Sequence, residues 1–154
     1  MSQNTTHTKR VYPLVCHASS LINPEIRSFF AEFYRISDTP SAHVLYADQF
    51  TQDAILIMGS KKSVGRSEIL AFRKSMWEKV HSRSHTPEKI FPFGNQEIDE
   101  VMIYGVVKYE LKDGGLAEVD WAARANLVKE DETWRMGFYQ VYLDTAAMQN
   151  PKGK

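Results

Sequence analysis

Residues 99–144, DEVMIYGVVKYELKDGGLAEVDWAARANLVKEDETWRMGFYQVYLD, decide the fold. DEVMIYGVVKYELKDGG is a long run of strand-forming residues closed by a glycine-rich turn, followed by LAEVDWAARANLVKEDE and TWRMGFYQVYLD. Valine, isoleucine and aromatic residues suit a half-buried pleated surface. The links KDGG and KEDE are short, so the three strands fold back on one another as an antiparallel meander.

Upstream, the hydrophobic period changes to that of a helix. In NPEIRSFFAEFYRIS (23–37), Asn23 is placed to cap, Pro24 suits the first helical position, and Ile26, Phe29, Phe30, Phe33 and Ile36 share one face. DTPSAHVLYADQF (38–50) repeats the start signal with Thr39 as cap, which predicts a second, shorter helix. DAILIMG (53–59) reads as a strand ended by Gly59. GRSEILAFRKSMWEKV (65–80) predicts an amphipathic helix capped near Ser67, and the chain after His85 reads as strand, with Pro92 marking an edge or a bulge.

The predicted order is helix, helix, strand, helix, then four strands. Early helices and late strands indicate an α+β protein, with three N-terminal helices packed on one face of a curved, mostly antiparallel sheet. Such a sheet forms a cone, and its mouth is a natural small-molecule pocket. The domain is expected over 19–146, with flexible tails at 1–18 and 147–154.

Composition narrows the function classes. Lysine and arginine total 19 and aspartate and glutamate total 19, so no net charge draws nucleic acid or an anionic membrane. The single cysteine, Cys16, excludes an intrachain disulfide or a Cys-based zinc cluster. No apolar run is long enough to span a bilayer and no signal-peptide core follows the N-terminus, so a cytoplasmic protein is the expectation. No phosphate loop and no nucleophile elbow occur.

This order is similar to that of the NTF2-like superfamily and, within it, the SnoaL-like and scytalone dehydratase-like branch. The resemblance runs over roughly residues 22–145 and is carried by LYADQFTQDAILIMG, VGRSEILAFRKSMW, DEVMIYGVVKY and TWRMGFYQVYLD. The chain as a whole also resembles a group of small fungal proteins of this type. Scytalone dehydratase-like enzymes set a histidine on the strand after the third helix and pair it with an aspartate just after the first helix. The resemblance puts His85 and Asp38 in those places. Their two water-holding tyrosines correspond to Ser37 and Met58, and Met58 also stands where ketosteroid isomerase-like members carry a general-base aspartate. The resemblance therefore implies a cofactor-independent lyase or isomerase, dehydratase- or cyclase-like, acting by histidine acid/base chemistry on a small hydrophobic carbonyl compound such as a polyketide or terpenoid intermediate. The alternative is a non-catalytic binding or dimerisation module of the same fold.

The chemistry of the residues is consistent with either. An imidazole at His85 can take and return a proton, and Asp38 on its other nitrogen fixes the tautomer and is expected to raise the histidine pKa above about 6.5. The bland alternative is a solvated His85 and an Asp38 that only assists a turn. His81 and His85 would share a helix face, but Pro87 argues against helix there, so no metal site is expected. Arg73 lies on an apolar helix face. It needs Asp53 or Asp120 as partner, or it lays its stem on apolar surface, or it anchors an acidic or enolic oxygen. Tyr109 and Tyr139 either donate to a developing enolate or pack a core. In EVDWAARAN, one parity points Trp121, Ala123 and Ala125 inward, where the alanines leave room for a ligand and Trp121 is a flat wall. The opposite parity makes Asp120 an acid inside the cavity, and one slip in KEDE decides between them. Tyr34, Met58 and Trp77 are assigned, with Phe33, to the wall or core. Apolar residues alternating on the outer face, such as Met102, Tyr104 and Val106, lead us to expect a homodimer.

Overall fold

Helix α1, Pro24–Ser37, begins as its sequence requires: the Asn23 side chain accepts a hydrogen bond from the Glu25 amide at 2.9 Å, and proline occupies the first turn. Ile26, Phe30, Phe33, Tyr34 and Ile36 of α1 are buried. Each such side chain taken out of water stabilises the fold by about 1.5–3 kcal/mol. The computed structural model describes residues 22–93 and 99–151. After α1 come α2 (His43–Ala47), β1 (Phe50–Met58), β2 (Lys61–Val64), α3 (Arg66–Ser75), β3 (Val80–Phe93), β4 (Glu100–Leu111), β5 (Leu116–Glu130), β6 (Thr133–Leu143) and a 3-10 turn at Thr145–Met148.

The six strands form one sheet in the order β2-β1-β6-β5-β4-β3. The meander β3–β4–β5–β6 is antiparallel throughout, and β1 joins it by pairing parallel to β6, with Leu56 opposite Tyr139. Val101, Ile103, Val119, Trp121, Ala123, Ala125, Leu127, Tyr139 and Val141 are buried and share one core with the apolar face of α1. The parity question in β5 is settled: Trp121, Ala123 and Ala125 face in, and Asp120 is exposed.

Several boundaries differ from the sequence expectation. Helix α3 stops at Ser75 instead of continuing to Val80, because the Trp77 and Glu78 amides turn back to Lys74 and Ser75 in the tighter i−3 pattern. Strand β3 therefore begins at Val80, and His81 and His85 lie on a strand, not a helix face. Gly65, at φ 81°, precedes α3 where Ser67 was expected to cap, and Glu68 accepts the Val64 amide instead. Helix α2 starts after Ala42, while the Thr39 hydroxyl donates back to the Arg35 carbonyl. Strand β2 was not expected, because KKSV carries no apolar alternation; it pairs with β1 across the turn at Gly59. The tail expected at 1–18 lies outside the described residues, as do residues 152–154, and no described helix is long and apolar enough to cross a membrane.

One glycine controls how closely β3 approaches its neighbour. Gly105 of β4 lies opposite Pro87, where the register of β3 shifts before Lys89. A β-carbon on Gly105 would stand 2.2 Å from the Thr86 carbonyl oxygen and 2.8 Å from the Pro87 α-carbon. Backbone cannot move aside as a side-chain end can, so β3 must shift. We expect Gly105→Ala to destabilise the protein by about 1–3 kcal/mol, the usual range for overpacking, read as a lower denaturation midpoint. The neighbouring His85 amide resonance should move with it, and an unchanged midpoint would refute the close approach.

Candidate active site

A helix ends with four carbonyls that lack partners within it, at the negative end of its dipole. At the end of α1 these carbonyls meet two buried guanidinium groups. Arg73, fully buried on α3, donates to the carbonyls of Ser37 at 2.8 Å, Thr39 at 2.7 Å and Ile36 at 3.4 Å. Arg83 of β3 donates through Nε and Nη2 to the Ser37 carbonyl, at 2.9 and 2.6 Å, and through Nη2 to the Ser37 hydroxyl at 2.8 Å. The Trp77 ring lies against both guanidiniums, each 4.9 Å from its centre. Arg73 thus finds neither Asp53, which accepts from the Thr51 hydroxyl, nor the exposed Asp120. Burial and the adjacent Arg83 push its pKa down to about 9, which still leaves it charged at neutral pH.

This clamp places the next residue, Asp38, whose amide closes α1 by donating to Tyr34 and Ile36. Its carboxylate meets both the ring and the backbone of His85. Oδ2 accepts the His85 backbone N–H at 2.8 Å and Oδ1 meets His85 Nδ1 at 2.6 Å. An acceptor this close assigns the ring proton to Nδ1, leaving the Nε2 lone pair free. Tyr34 and Trp121 pack against the imidazole with ring centres at 5.2 and 5.7 Å. Burial holds the His85 pKa below the ordinary histidine value; Asp38 opposes this, and Arg83 and Arg73 add to it. The expected rise above 6.5 is therefore reversed, because desolvation and two nearby cations outweigh one carboxylate.

His85 looks into a cavity of about 30 Å³, walled also by Ser37, Met58, Arg83, Tyr109, Trp121 and Tyr139. The hollow is far smaller than expected. Phe33, Tyr34, Tyr46 and Phe50 pack against one another and Tyr139 over the small alanines and leave room for about two waters. His85, Met58, Tyr109 and Leu143 are the half-buried members of the wall, which puts the mouth on their side. The Tyr34 and Tyr139 hydroxyls face each other at 3.3 Å, and burial raises the pKa of Tyr34, Tyr109 and Tyr139, so all three phenols keep their protons at neutral pH.

Of the residues singled out from sequence, His85, Met58, Tyr109, Trp121 and Tyr139 meet around this space. Tyr34 stands behind His85 and Trp121, and Arg73 and Trp77 lie in the clamp outside the cavity wall. Among the described residues no cluster of three metal-ligating side chains exists. The charged wall residue that the sequence reading missed is Arg83. In a strand, residues 83 and 85 point the same way, but HSRSH lies between the predicted helix, which ends at Val80, and the run after His85 that reads as strand.

No protein-family model matches the sequence and no curated protein matches it. Solved structures do. A Novosphingobium aromaticivorans protein provisionally named a scytalone dehydratase superimposes with a TM-score of 0.69 at 14% identity, over 78% of this chain and 82% of that one. A type 2 hexachlorocyclohexane dehydrochlorinase gives 0.66 at 14% identity over 77% and 82%. Nuclear transport factor 2 from Cryptosporidium parvum gives 0.64 at 12% identity over 88% and 98%. Three helices on a curved, mixed six-stranded sheet, superimposing on these structures over most of the chain, are the NTF2-like α+β cone fold.

Proposed function

We propose that the protein is a lyase or isomerase in which His85 is the general base and Asp38 its positioning partner. The observation that carries this is the paired contact of Asp38 with the His85 ring and backbone, which leaves Nε2 unprotonated toward the cavity. In the reaction, Nε2 removes a proton from a carbon next to a carbonyl. The C–H electron pair passes to the carbonyl oxygen as an enolate. The enolate then either expels a leaving group from the β-carbon or is reprotonated by the imidazolium at a different carbon, which moves the double bond. Tyr109 at the mouth, a neutral phenol, is a donor for the substrate oxygen. The names of two structural neighbours, a dehydratase and a dehydrochlorinase, both denote elimination and support this class of chemistry.

The cavity sets the form of the substrate. About 30 Å³ accepts the reacting end of a carbonyl compound and not a whole polyketide or terpenoid skeleton. The remainder lies over the half-buried mouth at Met58, Tyr109 and Leu143. The same small volume favours a second reading, a non-catalytic module of the kind the Ntf2 resemblance allows. A homodimer through the outer sheet face is supported by Met102, 36% exposed, and by Tyr104 stacked on the half-exposed Phe91.

Three measurements test these statements. Exchange of α-hydrogens of small enolisable ketones in D2O should be accelerated by the protein, and His85→Ala should slow it about 10²–10⁴-fold, the range for a lost general base. No acceleration by the native protein, across a panel of such ketones, would leave the binding module standing. The rate should rise with pH through a midpoint below 6.5 and level off by neutrality, since only the neutral imidazole is a base and its pKa is lowered; a midpoint above 6.5 contradicts the burial argument. Sedimentation should show a dimer that Tyr104→Lys converts to monomer, and a native monomer would refute the interface.

A further inference from the structure

Among the described residues, the surroundings of the clamp hold more positive charge than negative. Among the described residues, Arg83 has Asp38 within ion-pair reach at 3.9 Å, and Arg73 has no carboxylate within that reach. His85 is neutral at pH 7. Two buried guanidiniums therefore face one buried carboxylate. Helix carbonyls offset part of this surplus, because they present the negative end of the α1 dipole, but they carry no formal charge.

Hydrogen bonding is unbalanced in the same direction. Arg83 spends Nε and Nη2 on Ser37, and its Nη1 makes no hydrogen bond to the described residues. The side chain is 5% exposed and lines the cavity beside His85. Around it, Arg73 Nε and the indole N–H groups of Trp77 and Trp121 are buried without an acceptor. Among the described residues, a region with spare donors and excess positive charge is complementary to an anion. Of that set Arg83 and Trp121 line the cavity, and Arg83 is the one that carries charge.

We infer that the cavity is an anion site in which Arg83 Nη1 receives a carboxylate or enolate oxygen of the ligand. Arg83 is then the residue that selects substrates bearing, or developing, negative charge on oxygen. The inference rests on the cavity's being the site of the proposed chemistry and names the charge class of its substrate. It also gives an order to the strand: His85 meets the carbon acid, and Arg83, two residues earlier on the same face, meets the oxygen. The selection is geometric as well as electrostatic. Arg83 is fixed on Ser37 from one side and flanked by Trp77 on another, which leaves the two N–H groups of Nη1 to donate.

Acetate and acetamide, nearly equal in size and opposite in charge status, test this at pH 7. Binding is followed at the His85 ring resonances by NMR, which report on the cavity and not on surface lysines. Acetate should shift them saturably, and acetamide should bind at least tenfold more weakly. Arg83→Gln should weaken acetate at least tenfold, with its folded state checked by the dispersion of the same spectra. Should that variant fail to fold, Arg83→Lys keeps the charge but loses the fork, and its acetate affinity should fall less than tenfold while acetamide stays weak. Equal binding of acetate and acetamide, or saturation by neither, overturns the anion site while leaving the His85–Asp38 chemistry intact. Acetate binding without any effect of His85→Ala on ketone exchange overturns the chemistry and leaves the anion site.

Discussion

Two buried guanidiniums closing the carboxyl end of α1 are the interaction on which the site depends. Without them the Ser37 carbonyl would end the helix as an unmet acceptor, costing roughly 1–3 kcal/mol, and the Ile36 and Thr39 carbonyls would keep only the backbone amides of Thr39 and Ala42. With them, the helix end has one position, and the residue that follows it, Asp38, inherits that position. The burial of Arg73 and Arg83 is tolerable for the same reason: each donates to backbone dipoles and lies against the Trp77 ring, so neither guanidinium is buried bare. Stability and site geometry thus have one origin, since the groups that satisfy the helix also depress the basicity of His85.

The neutral His85 follows from this competition. A carboxylate at 2.6 Å would by itself favour the imidazolium, and that was the expectation from the sequence. Burial, aided by two cations on the other side, wins. The net effect is a ring oriented as a base and held unprotonated at neutral pH, which is the condition proton abstraction requires.

Much of the fold was legible because its signals are local. Asn23-Pro24 announces α1, Gly59 ends β1, and the strand runs around KDGG and KEDE fix the meander. The pairing of Asp38 with His85 was legible through resemblance, since residues so far apart in sequence carry no local sign of contact. What stayed hidden depended on tertiary packing. HSRSH has no apolar alternation, so its strand character, and with it Arg83, was masked by the strong helical pattern before it. KKSV pairs only because Gly59 returns the chain beside β1. The size of the cavity was unreadable, because alanines at 123 and 125 make room only if the α1 and α2 aromatics above them leave it empty, and Phe33, Tyr34 and Tyr46 do not.

The parallel pairing of β1 with β6 has a consequence for how the chain reaches this state. β1 and its hairpin partner β2 touch the rest of the sheet only through β6, the last of its six strands in chain order. Until β6 is made, β1 and β2 have no partner in the rest of the sheet, and no local contact can substitute for it. The cone therefore assembles late and nearly all at once, with its greasy helices waiting on the final strand. Nascent chains that stop short of Thr133 are the species most exposed to aggregation.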